Sequence, residues 1–459
     1  MKLLDFHKKN RMKLSLKGKH FLQDFLNTST IHGLNHLGHT KIHIIEWILW
    51  LTLVISAIYG AVSLSSITLT RYNSNPTVIS MERDRFAWNT SFPAATICPM
   101  VKYDEETLEN YIETSNAPNK TLFRNFVVSL LEANYQNLED VVDYTNGVPP
   151  EEFLDLILKL KMKFSPSEIS NSAGFSKVNY LTEIVSEIGI CYCFNSQLAV
   201  YNSARYWSSG QWTIYPLNDT LYVNPLDGEV FANVMNISSG FDIYIHGPQE
   251  VADVATKKTH SEDGYFLQLY LNGMTLFSSD KVRALKVKQR KCRFYDESDL
   301  GHSPVYSYVL CRMECRIRLS KQFCGCVPHF YRKLDGEKTC SVEGLHCLSK
   351  FKEKLILLEG TCSCLPNCDE VVYYVDDLDT REWFLGTNLQ WGLKDYPKMR
   401  LKRDVIFGFT DLLVYIGGMA GLFLGCSVLS FIEIIYFFSL RIFFYFMKSE
   451  KQQGKIMKK

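Results

Sequence analysis

From Val405 to Leu440 the chain reads VIFGFTDLLVYIGGMAGLFLGCSVLSFIEIIYFFSL, and the 21 residues between Asp411 and Glu433 carry no charge. At ~1.5 Å rise per residue, a helix of that length covers the ~30 Å hydrocarbon core of a bilayer. The run therefore predicts a membrane span. It is more than a plain anchor, because Gly417, Gly418, Ala420, Gly421, Gly425, Cys426 and Ser427 lay a track of small, weakly polar residues through it. Two structures fit such a track. One is a small-xxx-small face on Gly417, Gly421 and Gly425 that lets helices approach closely. The other is a local break that exposes carbonyls, which a bilayer permits only along a water-filled path or within protein.

Another apolar run lies near the start. Trp47 to Thr70 gives 24 uncharged residues between Glu46 and Arg71, too long and too late for a secretory signal, so it predicts a retained first span. Met1 to Lys41 holds eight Lys or Arg against two acids, and Arg441 to Lys459 holds six against one. By the positive-inside rule both termini are cytoplasmic. A net charge of +1 and 46% hydrophobic content hide this division, since the averages are those of an ordinary globular protein.

Arg71 to Asp404 is long enough for a sizeable core and holds 13 of the 14 cysteines, which implies an oxidising compartment. Sequons at Asn89, Asn119, Asn218 and Asn236 fall in the same region and fit a glycosylated outer face. A fifth, Asn27-Thr28-Ser29, is cytosolic on this topology and stays unmodified. Apolar residues at three- and four-residue spacing predict helices over 105–114, 121–134 and 150–164, with Phe123, Phe126, Val127, Leu130 and Leu131 on one face. From Trp207 to Lys291 the pattern reads as alternating strands. Lys286, Lys288 and Arg290 alternate with Leu285, Val287 and Gln289 as on a half-exposed strand, a solvated face and not a nucleic-acid surface.

Several motifs sit at ordered positions. Gly425-Cys426-Ser427 lies in IGGMAGLFLGCSVLSFIE, and Ser29-Thr30-Ile31-His32-Gly33 ends 14 residues before Trp47. Ser91-Phe92-Pro93-Ala94-Ala95-Thr96-Ile97-Cys98 follows the first span, and later come Gly189-Ile190-Cys191-Tyr192-Cys193-Phe194-Asn195 and a strand ending at His246. Three cysteine blocks complete the set: Tyr306-Ser307-x-x-x-Cys311-x-x-Glu314-Cys315, Cys324-Gly325-Cys326-Val327-Pro328 and Cys362-Ser363-Cys364-Leu365-Pro366-Asn367-Cys368. Together these motifs resemble the degenerin/epithelial sodium channel superfamily, and most of all its insect pickpocket branch.

The resemblance implies a membrane protein with two transmembrane helices flanking a large disulfide-rich α+β ectodomain, its β-sheet core carrying peripheral helices, with short cytoplasmic termini. The expected divisions are 1–42 with the His-Gly motif, a first span at 43–70, an extracellular domain at 71–404 with a cysteine-rich strut at 292–368, a second span at 405–440, and a tail at 441–459. The implied function is a subunit of a homo- or heterotrimeric, sodium-preferring, amiloride-sensitive cation channel of the plasma membrane, serving sensory transduction or epithelial sodium transport. An ectodomain stimulus would move the disulfide strut and open the pore. Gly425, Cys426 and Ser427 would form the selectivity filter, where permeating sodium is the only metal, and no cofactor is expected. His32 and Gly33 would act in gating and the lower ion path, with Asp411 also at the pore. Glu433 lies eight residues past Gly425, and a carboxylate at that depth needs water or a partner. It either faces the pore and concentrates cations or pairs with a basic group near His32-Gly33 or on the first span. Val414 stands where the family keeps a small residue, which predicts hindered closure and constitutive current.

Cysteines four apart on a helix and two apart on a strand each span about 6 to 7 Å on one face, so Cys311/Cys315 and Cys362/Cys364 can form two rungs in either order. The family pairs Cys311 with Cys364 and Cys315 with Cys362. It further implies Cys98–Cys191, Cys292–Cys368, Cys324–Cys347 and Cys326–Cys340, leaving Cys193 free in place of the usual hydroxyl residue. A zinc site near His329 and His346 is the rival use of these cysteines, but regular C-x-x-C pairs are missing. His246 is expected to be a hydrogen-bonded structural histidine and not a proton sensor. Asn73 and Ser74, where acid-sensing members carry histidines, weigh against acid gating. The rival overall reading is a two-span ligand-binding receptor of scavenger-receptor type. An ATP-gated trimer shares the topology but not the cysteine spacing. No catalytic motif such as His-Glu-x-x-His or Gly-x-Ser-x-Gly occurs, which sets enzymes aside.

Overall fold

The computed structural model describes residues 20–39, 42–84, 86–144, 147–166, 168–171, 181–217, 220–358, 360 and 362–444. The sequon at Asn218, the first 19 residues and the tail beyond 444 lie outside them. The chain divides into two compact units, one made of Met1–Thr77 with Val405–Lys459 and the other of Val78–Asp404.

The larger unit is built on two sheets. In the first, seven strands run in the order Thr77–Glu82, Arg400–Val405, Tyr265–Ser278, Thr387–Leu393, Val230–Ile237 and Glu168–Asn171, with Glu370–Glu382 added beside Tyr265–Ser278. The Tyr265–Ser278 strand is the keystone. It pairs antiparallel with Glu370–Glu382 and parallel with both Thr387–Leu393 and Arg400–Val405. Its sequence YFLQLYLNGMTLFS suits the place, because Leu267, Leu269 and Leu271 alternate inward and are fully buried. The second sheet orders Lys258–Ser261, Phe241–His246, Ala94–Pro99, Gly189–Phe194 and Thr182–Ser186. Pro93 stands just ahead of Ala94–Pro99, so its missing N–H costs no ladder bond. Phe92, Phe194 and Trp391 join the sheets in one core, and the Trp391 indole N–H donates to the Pro93 carbonyl at 3.2 Å.

Helices and cysteines form the second half of this unit. Glu105–Thr114, Lys120–Leu131 and Phe153–Leu160 bury the apolar faces their periodicity predicts, and Phe123, Phe126, Val127, Leu130 and Leu131 all turn inward. The third helix is shorter than expected, because Pro150–Glu152 forms a 3₁₀ turn and the helix closes at Leu160. Tyr308–Cys324 is N-capped by Ser307, whose hydroxyl accepts from the Leu310 N–H at 3.1 Å. It presents Cys311 and Cys315 to residues 362–368, where Cys311 meets Cys364 and Cys315 meets Cys362 with Cα separations of 5.8 and 6.2 Å. Four more bridges join Cys98 to Cys191, Cys292 to Cys368, Cys324 to Cys347 and Cys326 to Cys340. Each typically contributes about 2–4 kcal/mol.

One helix position carries charge into the core. Arg316 is fully buried and its Nη1 donates to both carboxylate oxygens of Glu187, at 2.9 and 3.0 Å, and to Asp253 at 3.0 Å. Nε donates to the Leu355 carbonyl at 2.8 Å, and Tyr331 donates to Glu187. Burial pushes the Glu187 carboxyl up, and the Arg316 guanidinium opposes that shift.

Cys193 forms no disulfide and sits opposite Thr96 in the ladder. Its sulfur lies 2.9 Å from the Thr96 hydroxyl, which lies 2.8 Å from His246 Nε2, while Nδ1 meets the Gly247 carbonyl at 2.9 Å. Burial pushes the His246 pKa down to about 4, so the ring is a neutral link in a buried chain of hydrogen bonds. A thiol in place of a hydroxyl continues that chain.

The basic alternation at 286–290 does not form a strand. The segment folds as the short helix Val287–Arg290, started by the Lys286 N–H donating to Gln289 Oε1 at 3.2 Å. Arg290 is buried, donating to the carbonyls of Arg283 and Cys292, each at 3.1 Å, and pairing with Glu297. Period-two spacing over five residues is too short to separate a strand from one helical turn.

Candidate ion pathway

In the smaller unit, Ile44–Ser74 is long and apolar enough to cross a membrane, starting within a residue of the expected 43–70 span and running four residues past its end. Ile45, Ile55, Val62 and Ile67 are exposed along it, which suits lipid. The second apolar run is not one helix. Residues up to Val405 belong to the sheet, a helix runs over Phe409–Leu424, and a second starts at Val428, bent from the first by 74°.

The break is built by its own sequence. Gly425 adopts φ +63°, a left-handed conformation that favours glycine, and its N–H closes the helix on the Gly421 carbonyl at 2.9 Å. Ser427 then caps the following helix. Its hydroxyl accepts from the Ser430 N–H at 3.3 Å, while the Ser430 hydroxyl accepts from the Ser427 N–H at 3.1 Å. The carbonyl of Leu424 is thereby released from the helix, and it accepts from the His32 N–H at 3.0 Å.

The His-Gly segment reaches this break closely. A Cβ added to Gly425 would lie 2.2 Å from His32 Nδ1, and one added to Gly33, at φ +87°, would lie 2.8 Å from Val54. His36 stacks on Trp50 with ring centroids 4.1 Å apart. Thr30 Oγ1 lies 3.0 Å from Ser430 Oγ and donates to Glu433 Oε2 at 2.7 Å. Among the described residues Glu433 thus meets the His32-Gly33 stretch through a neutral hydroxyl and not through a base. Asp411 accepts from the Gly408 N–H at 2.9 Å and so caps the Phe409–Leu424 helix. Val414 is 68% exposed, and a Cβ on Gly417 would meet nothing within 4 Å. Farther along, Arg441 pairs with Asp24 at 2.8 Å, and Phe21 and Phe25 pack on Phe437 and Phe438.

The structure therefore brings His32, Gly33, Gly425, Ser427 and Glu433 together, while Val414 and Asp411 lie about three and four turns before the break. Sequence reasoning gave Thr30 and Ser430 no role. The one available signal was Ser430, three residues after Ser427 at capping-box spacing. Of the sequon asparagines, Asn89, Asn119 and Asn236 are exposed, and Asn119 also caps the Lys120–Leu131 helix by accepting from the Leu122 N–H at 3.0 Å.

An apolar helix long enough to cross a bilayer and a disulfide-rich, sheet-containing domain define a membrane protein with a cross-linked ectodomain. The chain belongs to the amiloride-sensitive sodium channel family, whose profile matches residues 25–437. Sodium channel protein Nach of Drosophila melanogaster is 23% identical over 91% of this chain and 86% of its own length. Pickpocket protein 28 of the same fly is 22% identical over 91% and 78%, and the bile acid-sensitive ion channel of Mus musculus is 23% identical over 92% and 88%. The family is one of ion channels and not enzymes, and nothing in these matches favours a scavenger-type receptor.

Proposed function

We propose that the chain is a subunit of a trimeric, sodium-preferring, amiloride-sensitive cation channel of the plasma membrane, with both termini cytoplasmic and two spans. Gly425, Cys426 and Ser427 form its filter. The carrying observation is the left-handed break at Gly425 inside an apolar run, which takes the Leu424 carbonyl out of the helix ladder where only a water-filled path or protein tolerates it. His32 and Gly33 brace the break from the cytoplasmic side, Glu433 concentrates cations below it, and Asp411 and Val414 line the approach and gate.

A trimer is further supported by the Glu370–Glu382 strand, which lies on the outer side of Tyr265–Ser278 and leaves Val372, Tyr374 and Leu378 exposed. Its first half is apolar and its second half charged, a mixed exposed edge that a neighbouring homo- or heteromeric subunit covers. The ectodomain carries the gating stimulus, in sensory transduction or epithelial sodium transport.

Two-electrode voltage clamp of the expressed chain, alone and with related subunits, tests the filter. Ser427→Cys is expected to shift the reversal potential in sodium against potassium. An unchanged permeability ratio removes the filter from Gly425-Cys426-Ser427.

A further inference from the structure

We infer that the crevice between the Pro150–Glu152 turn, Trp207 and residues 327–333 is a binding site for a small organic monocarboxylate, held by Arg332 and His329. The crevice encloses about 190 Å³. That is far more than the roughly 10–15 Å³ one water requires and less than the ~300 Å³ at which drug-sized sites begin.

Two buried polar residues line it, each with a side-chain nitrogen left unpartnered among the described residues. Arg332 is only 7% exposed, its guanidinium lies over the Trp212 ring at 4.1 Å and near the Tyr206 ring at 5.3 Å, and Nη2 donates to the Gln211 carbonyl at 3.2 Å. Nη1 has no hydrogen-bond partner among the described residues. Arg316 is met by two carboxylates and buried Arg290 pairs with Glu297, whereas Arg332 is met by the Tyr206 and Trp212 side chains and one carbonyl. A buried guanidinium without an anion is costly, and a bound carboxylate relieves that cost.

His329 is 6% exposed, packs edge-on to Phe153, and likewise leaves Nδ1 unpartnered among the described residues. Burial pushes its pKa down to about 4, so the ring is neutral, and its Nδ1–H tautomer offers a donor without adding charge. Leu154, Val327 and Trp207 supply an apolar wall. At the rim Lys333 faces Glu151 at 4.0 Å. One buried cation and one neutral donor, with a rim Lys333–Glu151 pair whose charges offset, suit a single negative charge on an apolar body better than the double charge of phosphate.

Trp207 and Trp212 make the site readable by fluorescence. Full-length protein in detergent is titrated with benzoate, with benzamide as its neutral counterpart and inorganic phosphate as competitor. A saturable response to benzoate is expected, with none to benzamide. Arg332→Gln weakens it at least about tenfold, the effect of losing a charge-assisted hydrogen bond. Leu154→Trp fills the crevice with Arg332 intact and abolishes it, which decides the matter should Arg332→Gln fail to fold. Equal responses to benzoate and benzamide, displacement of benzoate by phosphate, or a Leu154→Trp protein that titrates like the wild type would each overturn the site.

Discussion

Arg316→Met removes the cation at the centre of the ectodomain and leaves its two acids in place. The side chain is replaced by one of similar length that fills the space and donates nothing. Glu187 keeps the Tyr331 hydroxyl and the Val254 N–H, and Asp253 keeps Thr256 and Arg312, the latter at 3.4 Å. Both carboxylates remain fully buried, and the Leu355 carbonyl loses its donor. Breaking a buried pair from one side costs about 3–5 kcal/mol. With unfolding entropy near 2.1 cal/mol/K per residue over Val78–Asp404, the melting temperature falls by roughly 4–7 °C.

The assay is a thermal melt of the full-length protein in detergent under non-reducing conditions, followed by tryptophan fluorescence. Two companions sharpen it. Arg316→Met with Glu187→Gln removes one stranded charge and recovers about 1–3 kcal/mol of the loss. In the single variant the Glu187 carboxyl is raised further, so its destabilisation is present above the ordinary carboxylate range and shrinks as acid protonates it. A fall below about 1 kcal/mol, the value of an exposed pair, would refute the reasoning. A double variant no more stable than the single one would do so too.

Three further outcomes are expected. His302 lies between Glu314 at 2.8 Å and Glu337 at 3.0 Å, and Glu337 also meets Lys321 at 2.7 Å. Burial alone would lower the His302 pKa, but the two carboxylates more than offset it and raise it, while His302 helps hold both acids low. The stability advantage of wild type over His302→Gln is therefore full between about pH 4.5 and 6.5 and is lost as pH rises through the raised histidine value. Melts that show no advantage in that window count against the cluster. Gly425→Ala abolishes current, since its Cβ meets the His32 ring and φ is left-handed. Adding His32→Ala relieves the contact but not the backbone strain, so recovery is partial, and full current in Gly425→Ala alone refutes the packing. Val414→Ala lowers resting current under voltage clamp, and an unchanged resting current argues against a wedge at the gate.

Much of this architecture was legible because the chemistry that fixes it is local. Cys311 and Cys315 fall one helical turn apart, and Gly425 with Ser427 marks a break, whatever surrounds them. Arg316 and Arg332 were not legible. In sequence they look like the solvated charges of RMECRIRLSK and PHFYRKLDG, and only the burial of their neighbours converts them into core residues. Lys286 to Arg290 misled for the related reason that a short alternation suits a strand and one helical turn alike. Glu433 found its partner in Thr30, some 400 positions away, which no periodicity encodes.

The pairing of Tyr265–Ser278 with three strands that all follow it in the chain sets the order in which this molecule can be made. Until the ribosome has delivered Thr387–Leu393 and Arg400–Val405, that strand has at most one long neighbour, and its leucines wait unburied. Nascent chains that stop short of Thr387 thus present raw sheet edges to the secretory pathway. Premature stops between Ser278 and Thr387 are then expected to yield aggregates cleared during biosynthesis, and not shortened proteins at the cell surface.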